Sequence, residues 1–254
     1  MCELDQFTRV VLGLMNKPLR AASQNAGSVN PAAEIDLRVA QLMCSRLCHD
    51  LVGPAGAVNA GVEFLDEANG HDAGALALVA SSGRHVTHRL AFFRVAFGFA
   101  GGANGTLSLA EARSLTERML VGGRVDLDWP LTGVDTQTPR PLDTVRLLLC
   151  QVLLAADALP RGGRIEVRFA ERRQGLEARV SAIGRDAGLG DHLLAAISPD
   201  ASPDELTART VHGYYTARLA ERLGTAIRIE NSQPDECTLA AVVSGAMSSE
   251  ASAA

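Results

Sequence analysis

A chain of 254 residues that is 47% apolar but only 4% aromatic can build one large or two small cores, mainly from Leu, Val and Ala. Its formal net charge of −5, with Lys17 as its one lysine, leaves no basic stripe for nucleic acid, and no apolar run approaches the ~20 residues that span a bilayer. The cysteines Cys2, Cys44, Cys48, Cys150 and Cys237 are odd in number and scattered through apolar segments, the usage of reduced thiols in a cytoplasmic protein.

Residues 1–33 read as a poorly ordered N-terminal extension. Glu3, Asp5 and the short, broken apolar stretch Val10 to Met15 make a poor signal peptide, although Phe7, Val10, Val11, Leu14 and Met15 keep the spacing of a docking helix. Helical periodicity then runs from Ile35 to Glu67, with Ala40, Met43, Leu47, Leu51, Val58, Val62 and Leu65 in one stripe. Polar and glycine residues at 68–74 break it, and a second helix runs from Ala75 to Phe97 with Leu76, Val79, Val86, Leu90, Phe93 and Phe97 as its stripe. Two long helices on a short loop are an antiparallel hairpin over 34–100. One apolar stripe per helix cannot bury itself, so two hairpins are predicted to pair as a four-helix bundle, making a homodimer.

His49 stands in the run Ser45-Arg46-Leu47-Cys48-His49-Asp50-Leu51-Val52-Gly53-Pro54. At about 100° per residue it falls roughly 200° from Leu47, so its imidazole faces away from the seam. Ser45, Arg46, Val52, Gly53 and Gly56 lie within about 60° of it. The serine and two glycines among them leave its flank open to another protein's surface. Pro54 removes a backbone bond and clashes with the carbonyl four residues back, so the helix is predicted to bend just past His49, at a local loss of about 3 kcal/mol or more. Weakening of that size on an otherwise good amphipathic helix points to a use. Cys44 and Cys48 share one face while His49 points about 100° from Cys48, and no second ligand cluster is present downstream, which argues against a metal site. Arg84, His85, His88 and Arg89 on the second helix border the patch, and the two histidines read as surface residues.

Beyond a glycine-rich hinge at Gly101–Gly105, Ser108 and Glu111 form a capping box that opens a helix to Leu120. A strand at Val125–Trp129, a helix from Pro141 to Leu159, and strands at Arg164–Ala170 and Leu176–Ala182 come next. Helices at Asp191–Ile197 and Thr210–Leu223 precede strands at Ala226–Glu230 and Thr238–Val243. Helices grouped between antiparallel strand pairs make residues 106–246 an α+β sandwich with one helical layer, and 247–254 reads as a disordered tail.

A hairpin with an outward His-Asp, followed by such a sandwich, resembles the dimerisation and ATP-binding halves of sensor histidine kinases. It is closer still to the ChpT family of histidine phosphotransferases. The resemblance covers Asp36 to Val243 and rests on Arg46 to Asp50, Phe93 to Gly98, Leu159 to Gly163 and Tyr214-Tyr215-Thr216. It implies an α+β chain: a hairpin forming a dimeric four-helix bundle, then a degenerate histidine-kinase ATPase-like (Bergerat-type) sandwich that needs no cofactor of its own. A working kinase of this fold carries an asparagine for Mg²⁺ on the helix before the Pro-x-Gly-Gly turn, yet no asparagine occurs between Asn104 and Asn231. The glycine-rich stretch that accommodates the triphosphate is reduced to Gly213, with the bulky Tyr214 and Tyr215 after it. One feature dissents: Asp186-Ala187-Gly188-Leu189-Gly190 matches the Asp-x-Gly-x-Gly box that reads adenine.

The resemblance implies a phosphorelay. His49 takes a phosphoryl group from the receiver domain of a hybrid histidine kinase and passes it to the receiver of a response regulator, the receivers supplying Mg²⁺, aspartate and lysine. Asp50 orients the imidazole or raises its basicity, or is a solvated helix-surface aspartate, and Arg46 steadies phosphoryl oxygens or forms a surface salt bridge. Ser45, Val52, Gly53 and Gly56 form the receiver-docking patch. Gly53 departs from the Ser, Thr or Asn usual there in related proteins, a residue that positions a hydrolytic water in bifunctional kinases, so intrinsic phosphatase activity is expected to be poor. A bacterial cell-cycle relay fits the resemblance. A histidine kinase with an altered ATP site, or a non-catalytic receiver-binding scaffold, remain the alternatives.

Overall fold

The computed structural model describes residues 31–68, 70–98, 105–130, 135–172, 175–230 and 234–243. The docking helix read at Phe7–Met15, the hinge before Gly105 and the tail after Met247 lie outside the described residues.

Helix α1 (Pro31–Glu67) begins four residues earlier than the periodicity predicts and continues through Pro54. Helix α2 (Ala73–Ala96) opens on Asp72, whose Oδ1 accepts from the Gly74 N–H at 2.7 Å and the Ala75 N–H at 3.0 Å. The two helices approach closely at the buried Gly61, where a Cβ would stand 2.7 Å from Val79 Cγ2. At the far end of α2 the seam enters the main core through Phe92, Phe93, Val95 and Ala96.

Next come β1 (Thr106–Leu107), α3 (Leu109–Leu120), β2 (Val125–Asp128), β3 (Arg140–Pro141), α4 (Leu142–Asp157), β4 (Gly163–Arg172) and β5 (Gly175–Ile183). Helix α5 (Asp191–Ile197), a 3₁₀ turn at Pro203–Glu205, α6 (Val211–Arg222), β6 (Arg228–Glu230) and β7 (Glu236–Val243) complete the order. The capping box at Ser108 is present: the Ser108 Oγ accepts from the Glu111 N–H at 3.2 Å, and Glu111 Oε2 accepts from the Ser108 N–H at 2.9 Å. The main sheet runs β2-β4-β5-β7-β6, with β2 parallel to β4 and every other pair antiparallel.

Alternation along the strands makes this sheet two-faced. Ile165, Val167, Ala178, Val180 and Leu239 turn inward and are fully buried, beneath α4, whose residues from Thr144 to Ala155 are all buried. On the other face charges interlock: Arg168 with Asp128 and Glu166, Arg172 and Arg228 with Glu177, and Arg179 with Glu230. Burial pushes the Glu177 carboxyl up, but its two arginines outweigh that and hold it below the usual range.

From Ile35 onward hairpin and sandwich form one compact unit. Arg146 on α4 donates to the carbonyls of Val95 at 3.1 Å and Gly98 at 2.6 Å, which an ending helix leaves without partners. Val39, Leu42 and Met43 of α1 pack on Ala196, Leu206, Val211 and Tyr214. Arg38 clamps the segment between α5 and α6, donating to the carbonyls of Pro203 at 2.9 Å and Asp204 at 2.8 Å.

Candidate functional site

His49 lies on the outer face of α1 with 70% of its side chain exposed, as its angular position requires. Its Nδ1 stands 3.2 Å from Asp50 Oδ1. A neutral ring that donates Nδ1–H to this carboxylate leaves the Nε2 lone pair facing outward. Asp50 is only 14% exposed, because its second oxygen accepts from Arg46 Nε at 2.9 Å, one helical turn back.

Arg46 is 11% exposed, so its pair with Asp50 is not the surface salt bridge that one sequence reading allowed. Its Nη2 reaches Asp157, the last residue of α4, at 3.2 Å, and its Nη1 donates to the Arg209 carbonyl at 3.3 Å. Burial lowers the pKa of the Arg46 guanidinium, but Asp157 and Asp50 outweigh it and hold the pKa above its ordinary value. Asp157 is also met from α6 by the fully buried His212, whose Nε2 stands 2.9 Å from Oδ2, off the direction of a ring N–H bond. Burial raises the Asp157 carboxyl, and His212 and Arg46 more than reverse this, leaving it below the usual carboxylate range. The chain of contacts runs His49, Asp50, Arg46, Asp157, His212, from the exposed ring into the seam between hairpin and sandwich.

Above it opens a cleft of about 550 Å³, lined by Arg46, His49 and Asp50 on one side and by His192, Arg209 and Thr210 on the other. Ser45, Val52, Gly53 and Gly56 are all exposed, and a Cβ added to either glycine would meet nothing within 4 Å. The second helix departs from expectation. His85 is half-buried, its ring against Gly122, where a Cβ would stand 2.7 Å from Nε2. His88 Nδ1 lies 3.1 Å from the Arg118 carbonyl. Both histidines, read as surface residues, help seat α2 on the sandwich; Arg84 stays exposed. Arg89 turns inward, donating to the Asp50 carbonyl at 2.9 Å.

Sequence reasoning missed Asp157 and His212 as parts of this site, and it placed Arg89 at the border of the patch rather than on the Asp50 carbonyl. Asp157 and His212 lie 111 and 166 residues from Arg46, beyond any periodicity; a carboxylate closing the apolar run 152–156 at the end of α4 was the one available signal.

The residues that the resemblance assigns to a nucleotide site are arranged differently from an open phosphate cradle. Gly213 is packed shut: a Cβ there would stand 2.7 Å from Leu193 Cδ1. Tyr215 meets Phe97 edge-on at 5.5 Å, and the Tyr214 ring lies under the Arg218 guanidinium at 5.2 Å. Asp186 sits in left-handed backbone (φ 59°), its carboxylate 2.6 Å from Arg161 Nε on the surface. A cleft of about 350 Å³ beside α5 is lined by His192, Ser202, Glu205 and Leu206, not by Asp186 or Gly213. Among the described residues no group of three His, Cys, Asp or Glu side chains could hold a metal ion.

Comparison with known proteins gives a consistent picture. Residues 109–235 match the model of the histidine phosphotransferase C-terminal domain. The chain is 34% identical over 199 residues to the protein phosphotransferase ChpT of Brucella abortus (strain 2308), covering 78% of this chain and 93% of that one. A solved bacterial phosphotransferase superposes with a TM-score of 0.67 at 28% identity, over 88% of this chain and 100% of the other.

Proposed function

Since the chain belongs to the ChpT family of histidine phosphotransferases, we propose that it relays phosphoryl groups through His49, from the receiver of a hybrid histidine kinase to the receiver of a response regulator, without using ATP. The observation that carries this reading is the exposed imidazole braced at Nδ1 by a carboxylate that Arg46 itself anchors.

In the forward step the His49 Nε2 lone pair forms a bond to phosphorus as the bond between phosphorus and the donor aspartate's oxygen breaks, and the electron pair leaves with the donor carboxylate. The proton on Nδ1 stays in place, and Asp50 faces the positive charge that develops on the ring. In the second step the acceptor aspartate's oxygen attacks phosphorus, and the electron pair returns to Nε2. Mg²⁺ is expected from the receiver, whose site neutralises the equatorial oxygens. The role we assign to Arg46 is to hold Asp50, since its guanidinium is turned to Asp50 and Asp157. Ser45, Val52, Gly53 and Gly56 form the docking face for the receiver, and Gly53 offers no side chain to position a hydrolytic water.

Four features support the absence of nucleotide use: no asparagine on α4, the packed Gly213, the surface pairing of Asp186, and the segment before α6 clamped by Arg38. The reading includes a homodimer, because Leu37, Val62, Phe64, Leu76 and Leu90 of the hairpin are 44 to 60% exposed and a second hairpin would cover such surface. It also places the protein in the cytoplasm with its receivers; no described helix is long and apolar enough to cross a membrane.

The test is transfer of ³²P from a phosphorylated receiver to the wild type and to His49→Ala, beside a control with ATP alone. Acid-labile label on the wild type only is expected. Label from ATP alone would make it a kinase, and no label from any cognate receiver would leave a scaffold.

A further inference from the structure

Pro54 and Arg89 act on one atom. In an α-helix the carbonyl of residue 50 accepts from the N–H of residue 54, and proline has none to give. The acceptor left open belongs to Asp50, the residue whose carboxylate meets the His49 ring. It is filled from the other helix of the hairpin: Arg89 Nη1 of α2 donates to the Asp50 carbonyl at 2.9 Å.

A bond inside α1 has thus been exchanged for one between α1 and α2. A guanidinium on a carbonyl is a charge-assisted bond, stronger than the neutral one it replaces. It ties the backbone that carries His49 and Asp50 to the neighbouring helix just where proline has loosened it. Arg89 and Asp50 border a cavity of about 300 Å³ beside Arg46 and His85. If the donor is removed, water can therefore reach the carbonyl, and the fold survives while the backbone there loosens.

We propose that Arg89 is a positioning residue for phosphoryl transfer: by donating to the carbonyl that Pro54 leaves open, it fixes the Asp50–His49 step of α1, and with it the direction of His49 Nε2. The proposal rests on the reading that His49 carries the phosphoryl group.

The test is a double-mutant cycle of Pro54→Ala and Arg89→Ala, read by single-turnover transfer from a phosphorylated receiver over a range of receiver concentrations. Pro54→Ala restores the N–H that the carbonyl would use within the helix, so the need for Arg89 should vanish. With Pro54 present, Arg89→Ala should lower the maximal rate about tenfold and leave the half-saturating concentration unchanged, and Arg89→Lys should recover most of the loss. In the Pro54→Ala background, the same substitution should change the rate less than about twofold. In the free protein, ¹⁵N resonances of the His49 ring should move on Arg89→Ala with Pro54 present and stay put in the Pro54→Ala background. Equal loss in both backgrounds, a change confined to the half-saturating concentration, or unmoved ring resonances would overturn the proposal. Failure of the wild type to take label, or label retained by His49→Ala, would instead defeat the phosphoacceptor reading, an outcome the ring resonances do not depend on.

Discussion

Replacing Arg46 with alanine tests whether the seam behind His49 is as tight as its geometry. The guanidinium is 11% exposed and meets Asp50 at 2.9 Å and Asp157 at 3.2 Å. Its loss leaves Asp50, 14% exposed, without its arginine, whereas Asp157 keeps His212 at 2.9 Å and is 31% exposed to water. Breaking a well-buried pair costs about 3–5 kcal/mol. Solvent access at Asp157 puts Arg46→Ala at the lower end, about 3 kcal/mol, or roughly 6–12 °C in Tm for a unit of this size. Arg46→Lys keeps the charge but loses the planar fork that spans two carboxylates, and should lose about half as much. Urea unfolding followed by circular dichroism measures both variants against the wild type. A change below about 0.5 kcal/mol for the alanine variant is what an exposed pair gives and would refute the account of Arg46 as the link between hairpin and sandwich.

The same contacts set further outcomes. Burial raises the Asp157 carboxyl, but His212 and Arg46 bring it below its ordinary value near 3.8; its contribution to stability is therefore complete above that pH and lost as pH falls through the lowered value. The stability gap between wild type and Asp157→Asn should stay constant down to about pH 5 and shrink only below about pH 4, so a gap already closing at pH 6 would refute this assignment. Leu90 is 49% exposed on the proposed seam, and Leu90→Asp should give monomers by light scattering; an unchanged dimer would defeat the bundle. Cys44 and Cys48 are exposed, whereas burial pushes the Cys150 thiol up to about 12 and raises Cys237. Thiol reagents followed by peptide mass spectrometry should label the first two in the folded protein and the last two only after denaturation.

What the sequence made legible is local in origin. The outward angle of His49 and the Ser108–Glu111 capping box depend on residues within a turn or two of one another, and both appear in the structure. The Pro54 anomaly was equally visible, but not its resolution. Proline announces an open carbonyl, whereas the Arg89 donor that fills it comes from another helix. His85 and His88 misled for a related reason: their polarity fits a surface, whereas the tertiary approach of Gly122 and of the Arg118 carbonyl leaves them half-buried. The parallel pairing of β2 with β4 and the two-residue ladder between β1 and β3 were illegible too, because so short a strand carries no alternation to read.

The central claim is that the phosphoryl group resides on His49. Its most direct test is site-resolved mass spectrometry of the wild-type protein after exposure to a phosphorylated receiver, quenched at alkaline pH to preserve phosphohistidine. One added phosphoryl group is expected on the peptide that carries His49, and none on peptides carrying His85, His88 or His192. Modification at another residue, or an unmodified protein beside a receiver that has lost its phosphate, would contradict it.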